Sequence, residues 1–329
     1  MMSIQISSHP YPKDWSEYRQ LWNEAQLQKT LTSHPLHLDI ELTSHCNLRC
    51  TMCWQSGAMT APKGFMEFDL FKKIINDGVA SGLCAVKLQS RGESTLHPKF
   101  FEFAKYAKVA GVMDLQVTTN GTNFDERSID DLISSGLDLL IVSIDDQHDD
   151  SLLEVYGDNA PNITQSVQQI IEKREKSGSP TPKIRIQTIA FPNQTKVDRL
   201  AEIKSEYPDA DHYMVNHLWN SDTDREAIEN LSTDFNMLPC SYLWTRMAVL
   251  WDGVVTTCCY DYNASNELGN ANLENVPQIW LGRKMMRLRE RHLADERSSI
   301  SVCNMCEQSI EPKENKKIFH QFLHDKSKA

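Results

Sequence analysis

Three cysteines fall in one short run, His45-Cys46-Asn47-Leu48-Arg49-Cys50-Thr51-Met52-Cys53. The spacing is C-x3-C-x2-C, directly after the alternating segment Leu36-His37-Leu38-Asp39-Ile40-Glu41-Leu42. Three thiolates on one loop can hold three irons of a [4Fe–4S] cube. They leave the fourth iron without a protein ligand, so a small molecule can bind there and receive an electron. Structural zinc takes four ligands, usually as two separated pairs, and His45 as a fourth would be cramped beside Cys46. A disulfide has no use for three thiols.

A second set lies far downstream: Cys240, Cys258, Cys259, Cys303 and Cys306. Cys303-Asn304-Met305-Cys306 is a tight C-x2-C chelate, and Cys258 comes five residues after Gly253. Four thiolates from separated segments suit a fully ligated metal centre, with zinc and [4Fe–4S] both open on spacing alone. Cys84 opens an apolar segment and reads as a core thiol.

The elements that must position these thiols follow from periodicity. Strands are expected at 36–42, 84–90, 113–119, 138–144, 183–190 and 211–217, with helices near 67–81, 98–110, 126–135, 162–176 and 195–206. Strands alternating with helices pair in parallel through right-handed crossovers. The expected fold is therefore α/β, a partial (β/α)6 barrel with its site at the strands' C-terminal ends, where the first cysteine loop lies. Trp15, Tyr18, Leu21 and Trp22 mark an N-terminal helix within 14–30. Asp252-Gly253 between two apolar runs signals a hairpin, and a helix near 276–292 follows. The expected division is 1–35 helical segment, 36–217 barrel, 218–238 connection, 239–310 auxiliary metal domain and 311–329 tail with a short helix.

Composition narrows the class. Of 329 residues, 40% are hydrophobic and 24% charged, with net charge −11. Such a balance argues against nucleic-acid or anionic-membrane partners, which need concentrated Lys and Arg. No apolar stretch approaches the roughly 20 residues of a membrane span. The polar start, Met1 to Lys13, has no signal architecture, so a cytoplasmic protein is expected. Nine cysteines in a reducing compartment point to metal.

The first cysteine loop resembles that of the radical SAM superfamily. There the open iron chelates S-adenosylmethionine (SAM), and cleavage of the sulfonium releases a 5′-deoxyadenosyl radical that abstracts hydrogen from an unactivated C–H bond. The resemblance implies that Cys46, Cys50 and Cys53 hold the cluster and that Met52 packs near adenine. Ser90-Arg91-Gly92-Glu93-Ser94 is similar to the family's Gly-Gly-Glu segment, with Arg91 in place of the first glycine, and implies that Gly92 and Glu93 hold the SAM amino group. Thr118-Thr119-Asn120-Gly121 is similar to its Thr-Asn-Gly strand ending, so Thr119 and Asn120 join the SAM side. Ser143, in Val142-Ser143-Ile144-Asp145-Asp146, is implied at the ribose and carboxylate. Arg185 and Gln187 share one strand face, and Gln187 is assigned to SAM.

The C-terminal cysteines resemble the SPASM/twitch extension, which implies one auxiliary [4Fe–4S] cluster on Cys240, Cys258, Cys303 and Cys306. Cys258 and Cys259 are alternatives for one ligand. The number and distribution of auxiliary cysteines are similar to those of twitch-type aminocyclitol dehydrogenases. The function expected is oxidation of a polar, sugar- or cyclitol-like molecule, with the auxiliary cluster taking the second electron. A one-electron reductant such as flavodoxin or ferredoxin is the implied partner. A base must remove the heteroatom proton, and Arg185, His217, Tyr260 and Asp261 are the candidates. Three alternatives stay open. One is epimerisation with Cys259 as hydrogen donor. Another is peptide modification, disfavoured because about 35 residues before the first strand are too few for a further domain. The last is a zinc- or cluster-stabilised binding module without catalysis.

Overall fold

The computed structural model describes residues 11–28, 30–144, 153–156, 160–190, 195–217, 235–237, 239–304, 306 and 310–312. Asp145-Asp146, most of the expected connection and the expected tail helix lie outside them.

Strands β1 (His37–Ile40), β2 (Ala85–Leu88), β3 (Asp114–Thr119), β4 (Leu139–Ser143), β5 (Lys183–Ala190) and β6 (His212–His217) alternate with helices. These are α2 (Phe68–Ala80), α3 (Phe100–Ala110), α4 (Glu126–Ser134), α5 (Ile163–Ser177) and α6 (Lys196–Glu206), while α1 (Trp15–Gln28) precedes the first strand. All five strand pairings from β1 to β6 are parallel and sequential. This is the expected partial barrel. Helix starts follow local chemistry. Asp125 and Ser128 form a capping box on α4, Asn162 caps α5 through Gln165 N–H, and Thr195 caps α6 through Asp198 N–H.

The two faces of the sheet differ in chemistry. Leu38, Ile40, Val86, Leu88, Leu115, Val117, Leu140, Val142, Ile184 and Ile186 are all fully buried under the helices. The alternate positions form the concave face, and register aligns Asp39 with Lys87 and Gln116, and Ile141 with Arg185. That face is polar. A barrel interior packed for stability alone favours bulky aliphatics, so this one is shaped for a ligand.

After β6 the chain returns to the opposite edge. Strand β8 (Arg246–Val249) pairs in parallel with β1, and β9 (Val254–Thr256) and β10 (Gly269–Asn270) continue antiparallel. The sheet thus has nine strands, and the hairpin is an extension of the barrel sheet. Short strands β7 (Phe235–Met237) and β11 (Ile310–Pro312) pair with each other, so the expected connection ends in a strand. The single helix expected near 276–292 is two: α8 (Val276–Trp280) and α9 (Arg283–Leu293), which follow a four-residue α7 (Tyr242–Thr245). The break falls at Leu281-Gly282. Gly282 stands in extended geometry as the N-cap of α9, with no room for a side chain against the Ile279 and Gln278 carbonyls. Among the described residues no helix is long and apolar enough to cross a membrane.

Candidate active site and metal centres

Cys46, Cys50 and Cys53 stand half-buried on the loop that leaves β1, and Met52 lies half-buried between the last two. The loop is fixed by its own backbone: Cys53 N–H donates to Cys50 O at 3.0 Å, and the Ser56 hydroxyl donates to the same carbonyl at 2.7 Å. Two donors reach the Cys46 sulfur, Leu48 N–H at 3.5 Å and the Asn120 side-chain amide at 3.9 Å. Burial pushes the Cys46 thiol up to about 11, so only a metal makes it a thiolate at neutral pH. N–H donors onto a cluster sulfur are also what tune its potential. The site fits a cluster.

Gly92 passes directly under this loop. A Cβ there would lie 2.4 Å from Thr43 O and 2.5 Å from His45 O, both backbone atoms that cannot step aside. Glu93 N–H donates to His45 O at 2.8 Å. The Glu93 carboxylate is buried, and its oxygens accept from Thr95 N–H, the Thr95 and Thr119 hydroxyls, and Asn120 N–H, at 2.7 to 3.1 Å. Glu93 and Thr119 therefore brace two strand ends against each other. Three of the four bonds fall on one oxygen, which leaves Oε2 the less committed acceptor. Asn120 continues the brace through Asn47 at 2.8 Å, and Asn47 reaches the Thr122 and Tyr156 hydroxyls at 2.7 Å each. Asn47 was not singled out from the sequence. Its position inside the cysteine run was the available signal.

Arg91, the departure from the family's double glycine, is buried against Glu41 in a two-pronged pair, Nε to Oε2 at 2.7 Å and Nη2 to Oε1 at 2.5 Å. Its Nη1 donates to Tyr262 O at 3.2 Å, and Glu41 also accepts from Trp251 N–H at 3.3 Å. One ion pair thus ties two barrel strands to the C-terminal segment. Removing one partner of such a buried pair costs about 3–5 kcal/mol. Glu41→Gln is expected to lower the unfolding free energy by about that much in a urea titration, and an unchanged midpoint would show the pair to be energetically idle.

The C-terminal segment is also laid against the first cysteine loop. The Trp54 and Tyr262 rings stack with centroids 5.2 Å apart. The Asn263 side chain accepts from Thr60 N–H at 2.9 Å and donates to Ala58 O at 3.0 Å. Cys240, Cys258, Cys303 and Cys306 line one cavity, together with Tyr242, Leu243, Thr257, Tyr260, His292, Arg297 and Val302. Cys259 does not line it. That thiol instead feels the charges of Asp39, Arg246 and Lys87, and burial first among these causes pushes it up to about 12. The four thiols surround a space, and among the described residues no three His, Cys, Asp or Glu side chains converge on a single ion. Arg297 donates through Nε to Cys303 O at 2.8 Å and through Nη2 to Cys306 O, and Cys240 N–H donates to His292 Nδ1 at 3.2 Å. Nothing in the spacing of the sequence pointed to His292 or Arg297.

One of the expected bases is otherwise engaged. Asp261 is buried, and its carboxylate accepts from the Thr256 hydroxyl and from Ser265 and Asn266 N–H at 2.7 and 2.8 Å. It organises the turn after Cys258 and is removed as a base. Tyr260 faces the cavity of the four thiols, and burial raises its phenol. Ser143 and Gln187 are register partners on the concave face, two rungs above Ile141 and Arg185. His217 closes β6 opposite Ala190, and its side chain lies outside the described residues.

The family described as the radical SAM superfamily matches residues 40–206, about half of the chain. The chain belongs to the radical SAM superfamily. A second family, SPASM, described as an iron–sulfur cluster-binding domain, matches residues 240–307. A [4Fe–4S] cluster, SAM and auxiliary iron–sulfur binding come with these families. A tungsten-containing aldehyde ferredoxin oxidoreductase cofactor-modifying protein from Pyrococcus furiosus is 30% identical over 46% of this chain and 43% of its own length. A GTP 3′,8-cyclase from Chlorobaculum tepidum is 34% identical over 33% of this chain and 32% of its own. Less than half of either relative is spanned. Among solved structures, BtrN in complex with AdoMet and 2-DOIA is 16% identical with a TM-score of 0.56, covering 83% of this chain and 92% of its own. SuiB from Streptococcus suis bound to S-adenosylmethionine is 15% identical with a TM-score of 0.59, covering 89% and 78%. At such identities the likeness is one of fold.

Proposed function

We propose that this radical SAM protein is a dehydrogenase of a polar small molecule, sugar- or cyclitol-like. The observation that carries the reading is the enclosure of four cysteines, Cys240, Cys258, Cys303 and Cys306, around one cavity. A centre ligated by all four keeps no iron open for a substrate, which leaves it electron transfer. When bound, SAM on the open-cornered cluster supplies hydrogen abstraction, and the auxiliary cluster supplies a one-electron acceptor.

The chain's own residues do the remainder. Gly92 lets the segment after β2 pass against the first cysteine loop, while Glu93, Thr119 and Asn120 hold that loop in place around SAM. Ser143 and Gln187 offer a hydroxyl and an amide side by side to the SAM ribose and carboxylate. Forming a ketone or imine from an alcohol or amine would take one hydrogen atom from carbon, one proton from the heteroatom and one electron, for which a centre held by Cys240, Cys258, Cys303 and Cys306 would be the acceptor. With Asp261 occupied by three donors and Tyr260 at the four-cysteine cavity, His217 is the proton acceptor by residue type, since imidazole titrates near neutrality. A soluble electron carrier such as flavodoxin or ferredoxin in the cytoplasm primes the reaction.

Product analysis tests the reading. Turnover of the cluster-reconstituted protein with candidate polyols and amino sugars is expected to give a product two hydrogens lighter than its substrate, one per SAM consumed. A product of unchanged mass that carries solvent deuterium on carbon would instead support epimerisation, the reading favoured by one observation, the placement of the Cys259 thiol beside Asp39 and Lys87 and away from the four-cysteine cavity.

A further inference from the structure

Lys87 on β2 and Arg185 on β5 both project onto the concave face. Lys87 feels the charge of Arg185. Neither side chain makes a hydrogen bond or ion pair among the described residues. Both side chains are half-buried, and a charge drawn out of water without a partner is costly. The neighbouring carboxylates are already answered. Asp39 has no exposed surface and lies 3.3 Å from His37 and 3.7 Å from Arg246, with the Gln89 amide at 3.4 Å. Arg246 in turn stacks its guanidinium over Tyr242, 4.2 Å from the ring centre. Asp114 takes the Gln116 amide at 2.7 Å and attracts Arg185 at longer range. Neither cation has a carboxylate within ion-pair distance among the described residues, and both lie on the concave face of the sheet.

We infer that Lys87 and Arg185 form a subsite for an anionic group, a carboxylate or phosphate, carried by the substrate. The inference deepens the proposed function, since it rests on a small polar substrate in this barrel and adds that the substrate is acidic. Planar Arg and compact Lys are complementary ligands for such groups. Burial, the largest cause, pulls the Lys87 ammonium down to about 8, and Arg246 and Arg185 lower it further while Asp39 and the Cys259 thiol raise it. An anion beside it would restore its proton.

SAM itself carries a carboxylate, so the test separates the two sources. The protein with both clusters reconstituted is treated with acetic anhydride under nitrogen, and acetylation of Lys87 is read by peptide mass spectrometry, with inorganic phosphate as probe. Saturating phosphate is expected to slow Lys87 labelling about fivefold, while SAM alone leaves the rate unchanged. Arg185→Gln is expected to abolish the protection and Arg185→Lys to retain most of it. Lys87 loses its proton near 8, so the protection by phosphate is expected to weaken as pH rises from about 7 to about 9, the labelling rate with phosphate approaching the rate without it. Labelling indifferent to phosphate, or equal protection by SAM alone, would overturn the assignment to substrate. No turnover is needed, so the outcome is independent of whether the reaction is an oxidation.

Discussion

Alanine at Cys46, Cys50 or Cys53 is expected to abolish SAM cleavage and to remove about four irons per chain. Each of the three stands on one loop, and no other cysteine of this chain has been placed near it. A site-differentiated cube has no spare ligand to recruit, so losing one of three thiolates leaves two irons without protein ligands. Asn47, Asn120 and Glu93 hold the loop's shape from outside, but none supplies sulfur. The measurement is 5′-deoxyadenosine formed per chain under dithionite, alongside iron and sulfide content. Cys84→Ala is the control, because that thiol is buried in the core next to β2. Cleavage that persisted in any of the three variants, or zinc bound tightly at these positions in anaerobic material, would remove the radical chemistry.

The second large effect is expected at Cys306. Cys306→Ala should leave SAM cleavage in place and cut product formation, so that 5′-deoxyadenosine accumulates without matching product. Cys306 is buried at the cavity wall, with its carbonyl held by Arg297. Loss of this ligand opens the auxiliary centre and leaves the substrate radical without its electron acceptor. Full product formation by the variant would show that the auxiliary centre does not take the electron, and the dehydrogenase reading would fall with it.

The barrel was legible because parallel strands with helices on one face leave a strong periodic trace, and the β5 segment alternates along its whole length. Both cysteine sets were legible because ligand spacing is local. What lay hidden depends on contacts between distant segments. The parallel pairing of β8 with β1 joins residues some two hundred positions apart, and a hairpin signal carries no information about which edge it will join. The Asp261 carboxylate looked like a base because composition cannot show that three donors already occupy it. Arg91 looked like a blemish in a glycine pair until Glu41 stood opposite. Both charges fall at the ends of neighbouring strands, and that coincidence was the signal available. Lys87 was passed over because one lysine in a strand is ordinary until its neighbours prove to be otherwise paired.

The ladder between β1 and β8 has a consequence for how this protein holds together. A chain cut after β6 would carry β1 as a raw border, its backbone donors and acceptors facing water and open to pairing with any stray strand. The half that carries the first cysteine loop and the half that carries the four-cysteine cavity are therefore stitched through a common seam of main-chain bonds, and neither is a detachable accessory of the other.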